Sequence, residues 1–146
     1  LIIHNKVFFI TLITWAVAQG LKVLLGVVQE KKFNFRWFIG TGGMPSSHAA
    51  GAAALATTCG LDQGFDSGIF AVAAVFALVT MFDAQGVRRA TGQQAEILNQ
   101  IMEDIYWKGR IEGGRLIELI GHSPFQVFVG TLLGCSLSAI LFHVWK

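Results

Sequence analysis

The sequence predicts an all-α protein, an integral-membrane helical bundle of about four membrane helices with an amphipathic helical insertion between residues 90 and 121. Three observations predict it. Of the 146 residues, 53% are hydrophobic and only 14% charged, against about 25% charge in soluble domains. Apolar runs close to the length of a membrane span recur along the chain. Seventeen glycines stand against two prolines, a balance that suits close helix packing better than loops. The length fits one domain, residues 1–146. A disordered segment, a collagen-like chain and an ordinary cytosolic domain are excluded. Cys59 and Cys135 both lie inside apolar runs, which argues against a disulfide scaffold or a zinc cluster.

Residues 7–28 are dominated by Phe, Ile, Leu and Val and are followed, after Gln29, by Glu30, Lys31 and Lys32. The run is longer than the apolar core of a signal peptide and lacks a small-residue cleavage site, so it reads as a span. Residues 46–60 are rich in Ala, Gly and Thr. They are short for a span, and their small side chains fit the inside of a bundle. Residues 67–82 form another apolar helix ended by Asp83, and residues 127–144 a further one with Gly130 and Gly134 on one face. Between them, Ala95, Leu98, Ile101, Met102 and Ile105 recur at helical spacing among Gln, Asn, Glu and Asp. That pattern predicts an amphipathic helix over 91–106, in the membrane interface or over the bundle. Residues 112–120 read as a short continuation.

Four crossings divide the cations unequally. Lys31, Lys32, Arg36, Arg88, Arg89, Lys108, Arg110 and Arg115 fall on one side, Lys6 and Lys146 on the other, and Lys22 inside the first span. The positive-inside rule makes the cation-rich side cytoplasmic and puts both termini opposite. The residues able to do chemistry gather on that same side. Gly40 to His48 is a glycine-rich turn entering a helix, where Ser46, Ser47 and His48 occupy the first turn and Pro45 opens it. As a structural alternative, Ser46 simply caps the helix. Asp83 precedes Arg88 and Arg89, whose guanidiniums suit bidentate phosphate binding or anchoring at the membrane surface. His122 opens the last span. Lys22 either snorkels to the interface or faces the same pocket. His4 and His143 lie near the opposite side and read as interface residues. Together these groups form an oxyanion site with a nucleophile and a general acid. No second histidine or carboxylate pair has metal-ligand spacing, so no metal and no cofactor is expected.

GGMPSSH at residues 42–48, DAQGVRR at 83–89 and GHSPFQVFVGTLLG at 121–134 resemble the divergent branch of the type 2 phosphatidic acid phosphatase family, which is related to the vanadium-dependent haloperoxidases. The resemblance covers nearly the whole chain. The family's motifs are written KxxxxxxRP, PSGH and SRxxxxxHxxxD. The second maps onto Pro45, Ser46, Ser47 and His48, with Ser47 in the glycine's place. The resemblance implies that Ser46 and nearby N–H groups bind phosphate, that His48 protonates the leaving group, and that His122 is the nucleophile. Arg88 or Arg89 takes the arginine role, about 32 residues before His122 instead of five. Gln126 replaces the motif's aspartate. It can orient the imidazole through its carbonyl oxygen but cannot stabilise the imidazolium by charge, and Asp83 is a candidate for the missing carboxylate. Arg36 is followed by Trp37 rather than proline, and Lys22, Lys31 and Lys32 compete for the lysine role, with Lys22 favoured.

The expected function is hydrolysis of a lipid or polyprenyl phosphate monoester or pyrophosphate through a phosphohistidine, with vanadate as a phosphate-mimicking inhibitor. The expected partners are membrane lipids and an amphiphilic phosphate, with a homodimer as one arrangement and no nucleic acid. The alternative is a non-catalytic membrane protein that binds phosphate or anionic lipid.

Overall fold

The computed structural model describes residues 5–31, 43–85, 87–107 and 122–145. Among them are five helices and no strand: α1 (Lys6–Glu30), α2 (Ser47–Gln63), α3 (Gly68–Gln85), α4 (Val87–Trp107) and α5 (Pro124–Val144). The protein is an all-α membrane bundle. Three helices, α1, α3 and α5, are long and apolar enough to cross a membrane. The 17 residues of α2 stand at the lower limit for a span, and α2 packs against all three of the others.

Each helix shows why it is where it is. In α1 the Asn5 side chain accepts the Phe8 N–H at 3.0 Å and caps the start. Ile10, Thr14, Ala18 and Lys22, four residues apart, form its buried ridge. Leu12, Trp15, Leu24 and Val28 remain exposed, as a lipid-facing surface requires. The helix ends at Lys31, whose φ of 52° is left-handed and whose N–H reaches the Val27 carbonyl.

Small residues make α2 the centre of the bundle. Ala49, Ala50, Gly51, Ala52, Ala53 and Ala54 are all buried, so neighbouring backbones can approach closely. Its tightest neighbour is α5, where Gly130, Gly134 and Ser138 form the buried face. A methyl group on Gly130 would strike the Ser46 carbonyl oxygen, and one on Gly134 the Ala50 carbonyl oxygen. The face read from the sequence is therefore the one used. Through Ala73, Ala77 and Ala84, α3 packs on α2 and leaves Val72, Val75, Val79 and Phe82 exposed.

Two boundaries differ from the sequence reading. Asp83 does not end α3: the helix runs on to Gln85 because Ala84 is buried against Ala49 and Val127, while Asp83 is exposed on the other face. The amphipathic helix α4 begins at Val87 rather than at residue 91, so Arg88 and Arg89 stand in its first turn. Ile97, Leu98 and Ile101 stay exposed, and Asn99 is buried. Of the stripe read from the sequence, Leu98 and Ile101 are thus exposed and Ala95 and Met102 half-buried, while the Ile105 side chain lies outside those described. The predicted continuation over 112–120 lies outside the described residues.

The helices α1, α2, α3 and α5 alternate in direction. At one end, Lys6 Nζ sits 3.7 Å from the centre of the Phe142 ring, and Phe9 stacks on Trp145. At the other end the starts of α2 and α5 meet the end of α3.

Candidate functional site

Three backbone and side-chain links assemble the site. The Ser46 N–H donates to the Gln126 carbonyl at 3.2 Å, tying the start of α2 to the first turn of α5. The His122 N–H donates to the Ala84 carbonyl at 3.1 Å, tying α5 to the end of α3. The Ser46 hydroxyl oxygen accepts the Ala49 N–H at 3.3 Å and caps α2. Ser46 therefore does perform the capping role, and its hydroxyl hydrogen remains available to donate. Pro45 does not open the helix as its first residue. It precedes the cap, in a cis peptide with Met44.

These links bring His48 and His122 together, with ring centres 6.2 Å apart and planes tilted by 56°. His122 is buried and His48 half-buried. Both stand at helix starts, where exposed N–H groups and the helix dipole favour an anion. Gln126 serves two groups. Its Oε1 accepts the Ser123 N–H at 3.0 Å, completing a capping box with the Ser123 hydroxyl. The same oxygen lies 3.3 Å from His122 Nδ1. An imidazole held at Nδ1 presents Nε2 on its far edge.

Lys22 joins this end of the molecule. It is 7% exposed, and a Cβ built on Gly43 would lie 3.4 Å from its Cε. Gly43 has a φ of 85°, a conformation that favours glycine, so the loop turns there and lays its backbone along the lysine stem. Gln19, one turn earlier, is also buried. Both residues are partnered. Lys31 instead is exposed in the helix cap. Of the three competing lysines, Lys22 is the one placed against the serine loop among the described residues.

The remaining sequence candidates divide by what is described. Ser47 is buried beside Ser46. Asp83 is exposed, next to the residue that holds the His122 N–H, and the carbonyl seen at Nδ1 belongs to Gln126. The backbone sets Arg88 and Arg89 in the first turn of α4, a few residues past Ala84. Arg36, Lys32, His4 and residues 40–42 of the glycine-rich turn lie outside the described residues. His143 is at the far end of α5, with Nδ1 2.8 Å from the Ala139 carbonyl. Sequence reasoning missed Asn99, buried and partnered on α4, and the Ala84 carbonyl, for which no side-chain signal exists.

A helical membrane bundle with two histidines paired at helix starts, beside a capping serine and a buried lysine, is the class that fold and site define. The sequence profile of the Divergent PAP2 family matches residues 3–137. An uncharacterized membrane protein of Bacillus subtilis (strain 168), YuiD, is 41% identical over 135 residues, covering 85% of this chain and 85% of its own. The chain belongs to the Divergent PAP2 family. No solved structure matches it.

Proposed function

We propose that the protein is a membrane phosphatase that hydrolyses a lipid or polyprenyl phosphate monoester or pyrophosphate through a phosphohistidine. The observation that carries the reading is the pairing of His48 and His122, 6.2 Å apart at two helix starts. His122 Nε2 attacks phosphorus while the ester P–O bond breaks. His48, as imidazolium, gives its proton to the departing oxygen. Water then attacks the phosphohistidine, loses a proton to His48, and free phosphate leaves. The helix-start N–H groups, the Ser46 hydroxyl and Lys22 stabilise the charge on the phosphoryl oxygens. Ser47 stands in the same turn. Arg88, Arg89 and Arg36 are proposed to complete the phosphate grip, with Asp83 orienting an arginine. The excess of cations on the loops at this end supports a cytoplasmic site with both termini opposite.

A second reading has its own support. Gln126 stands where the related motif has aspartate, and a neutral amide gives the imidazolium no charge stabilisation. In that reading the pocket grips phosphate or anionic lipid without turnover. Phosphate release from a panel of lipid phosphates by the purified protein in detergent separates the two. Release that vanadate blocks and His122→Ala abolishes is the expected result. Binding of vanadate with no release from any panel member would overturn catalysis in favour of binding.

A further inference from the structure

We propose that an apolar groove leading away from His48 holds one hydrocarbon tail of the substrate and grades substrates by its length. The inference deepens the phosphatase reading and rests on it for the position of the headgroup. One groove of about 300 Å³ lies between α1, α2 and α3, with Trp15, His48, Gly51, Leu55 and Phe76 in its wall. Another of about 510 Å³ lies between α2 and α3, with Leu55, Cys59, Ile69, Val72 and Phe76 in its wall. Leu55 and Phe76 line both, so the two grooves meet at these side chains, and the proposal takes them as one track down α2.

The chemistry fixes which end receives the headgroup. In-line displacement puts the leaving oxygen opposite the attacking nitrogen. With His122 attacking, the ester oxygen and whatever it carries depart on the His48 side. His48 is in the wall of the groove and His122 is not. Among the described residues, neither wall holds another side chain able to carry positive charge. Trp15 closes one side, its ring atom 3.3 Å from where a Cβ on Gly51 would lie. Hence the track begins at the general acid and continues among hydrocarbon, which suits a tail and not a second headgroup.

Its length follows from the helix. His48 and Cys59 are eleven positions apart on α2, about 16 Å at about 1.5 Å per residue. An extended alkyl chain with bonds of about 1.5 Å advances about 1.25 Å per carbon, so about a dozen carbons fill the track. Carbons beyond that reach bulk lipid and gain nothing further from the protein.

The test uses alkyl phosphates of increasing length with a photoactivatable group at the tail end. They are added to the full chain in lipid nanodiscs, with His122→Ala to prevent turnover. Short probes are expected to label the peptide around Gly51 and Leu55, longer ones Cys59, Ile69 and Val72, with no further advance past about a dozen carbons. Val72→Trp narrows the far end at an exposed position and is expected to reduce labelling by long probes about tenfold, the worth of about two buried methylenes. Val75→Trp, exposed on α3 but outside both walls, is expected to leave it unchanged. Labelling that ignores chain length, or equal effects of the two tryptophans, would overturn the proposal. So would an absence of labelling together with a Val72→Trp chain that loses self-association, which would give the groove to a second copy. Graded labelling with no phosphate release by the unmodified chain would sink the phosphatase reading and leave the groove standing. Release without graded labelling would sink the groove alone.

Discussion

At the scale of single residues, the unusual economy lies in Gln126, whose one carbonyl oxygen caps a helix and faces the His122 ring. Exchange for glutamate tests what the missing charge costs. Glu is well suited to this position of a capping box and to a helix start, so the fold is expected to survive. A carboxylate beside Nδ1 favours the protonated imidazole, which moves the acid limb of the pH–rate profile to higher pH. It also stabilises the charged phosphohistidine-forming ring, and Gln126→Glu is expected to raise turnover above that limb by about tenfold. A rate and pH profile identical to the parent would show that Gln126 only caps. Much of this residue-level picture was legible beforehand. The spacing of His122 and Gln126 and the turn before His48 are local, and local chemistry is written in sequence order. Lys22 was only half legible. A cation in an apolar run demands a partner, but nothing in the run says that Gly43, far along the chain, returns to lie against it. Asn99 gave no signal at all, since the burial of one polar residue in an amphipathic helix is decided by tertiary contact.

At the scale of elements, the site depends on how closely α5 approaches α2. Gly130 sits over the carbonyl of Ser46, the residue that caps α2 and would bind phosphate. Gly130→Ala must push the two helices apart, at a cost of about 1–3 kcal/mol for an overpacked contact. A lower midpoint of thermal unfolding in detergent is expected, together with weaker vanadate inhibition, because Ser46 moves. Gly20→Ala is the control: among the described residues no atom beyond its own helix backbone and chain neighbours lies within 4 Å of the added methyl, and the midpoint is expected to hold or rise slightly. Equal midpoints for the two variants would contradict the packing. The glycine pair was readable as a face because four-residue spacing puts both on one side of a helix. Helix ends were less readable. Asp83 looked like a stop, yet α3 continues because its neighbour Ala84 is needed in the core, and tertiary burial outweighs a polar residue free to face outward. The exposed stripe of Ile97, Leu98 and Ile101 could not be assigned from periodicity alone, which gives a face but not what covers it.

At the scale of the whole molecule, the alternation of α1, α2, α3 and α5 brings the described candidates Lys22, Ser46, His48 and His122 to one end. The loop between α2 and α3 and the described ends of the chain fall at the other. The charge pattern supports the proposed cytoplasmic position of the site, and accessibility tests it. With Cys59 and Cys135 replaced, a single cysteine at Asp66, exposed in the loop before α3, is expected to react with a membrane-impermeant thiol reagent on intact cells. One at Lys31 is expected to react only after permeabilisation. The reverse order would place the site outside and would require a substrate from the other leaflet. The overall fold was legible because a bilayer demands long apolar helices, whereas crossing order in space was not, since any of several packings buries the same small residues.

The most direct test of the central chemistry is to trap the intermediate. Protein reacted with a radiolabelled lipid phosphate and quenched in alkali is expected to carry acid-labile phosphate on the peptide containing His122. His122→Ala is expected to carry none, and His48→Ala to accumulate less because the leaving group goes unprotonated. Phosphate release with no covalent label, or label on a residue other than His122, would contradict the mechanism.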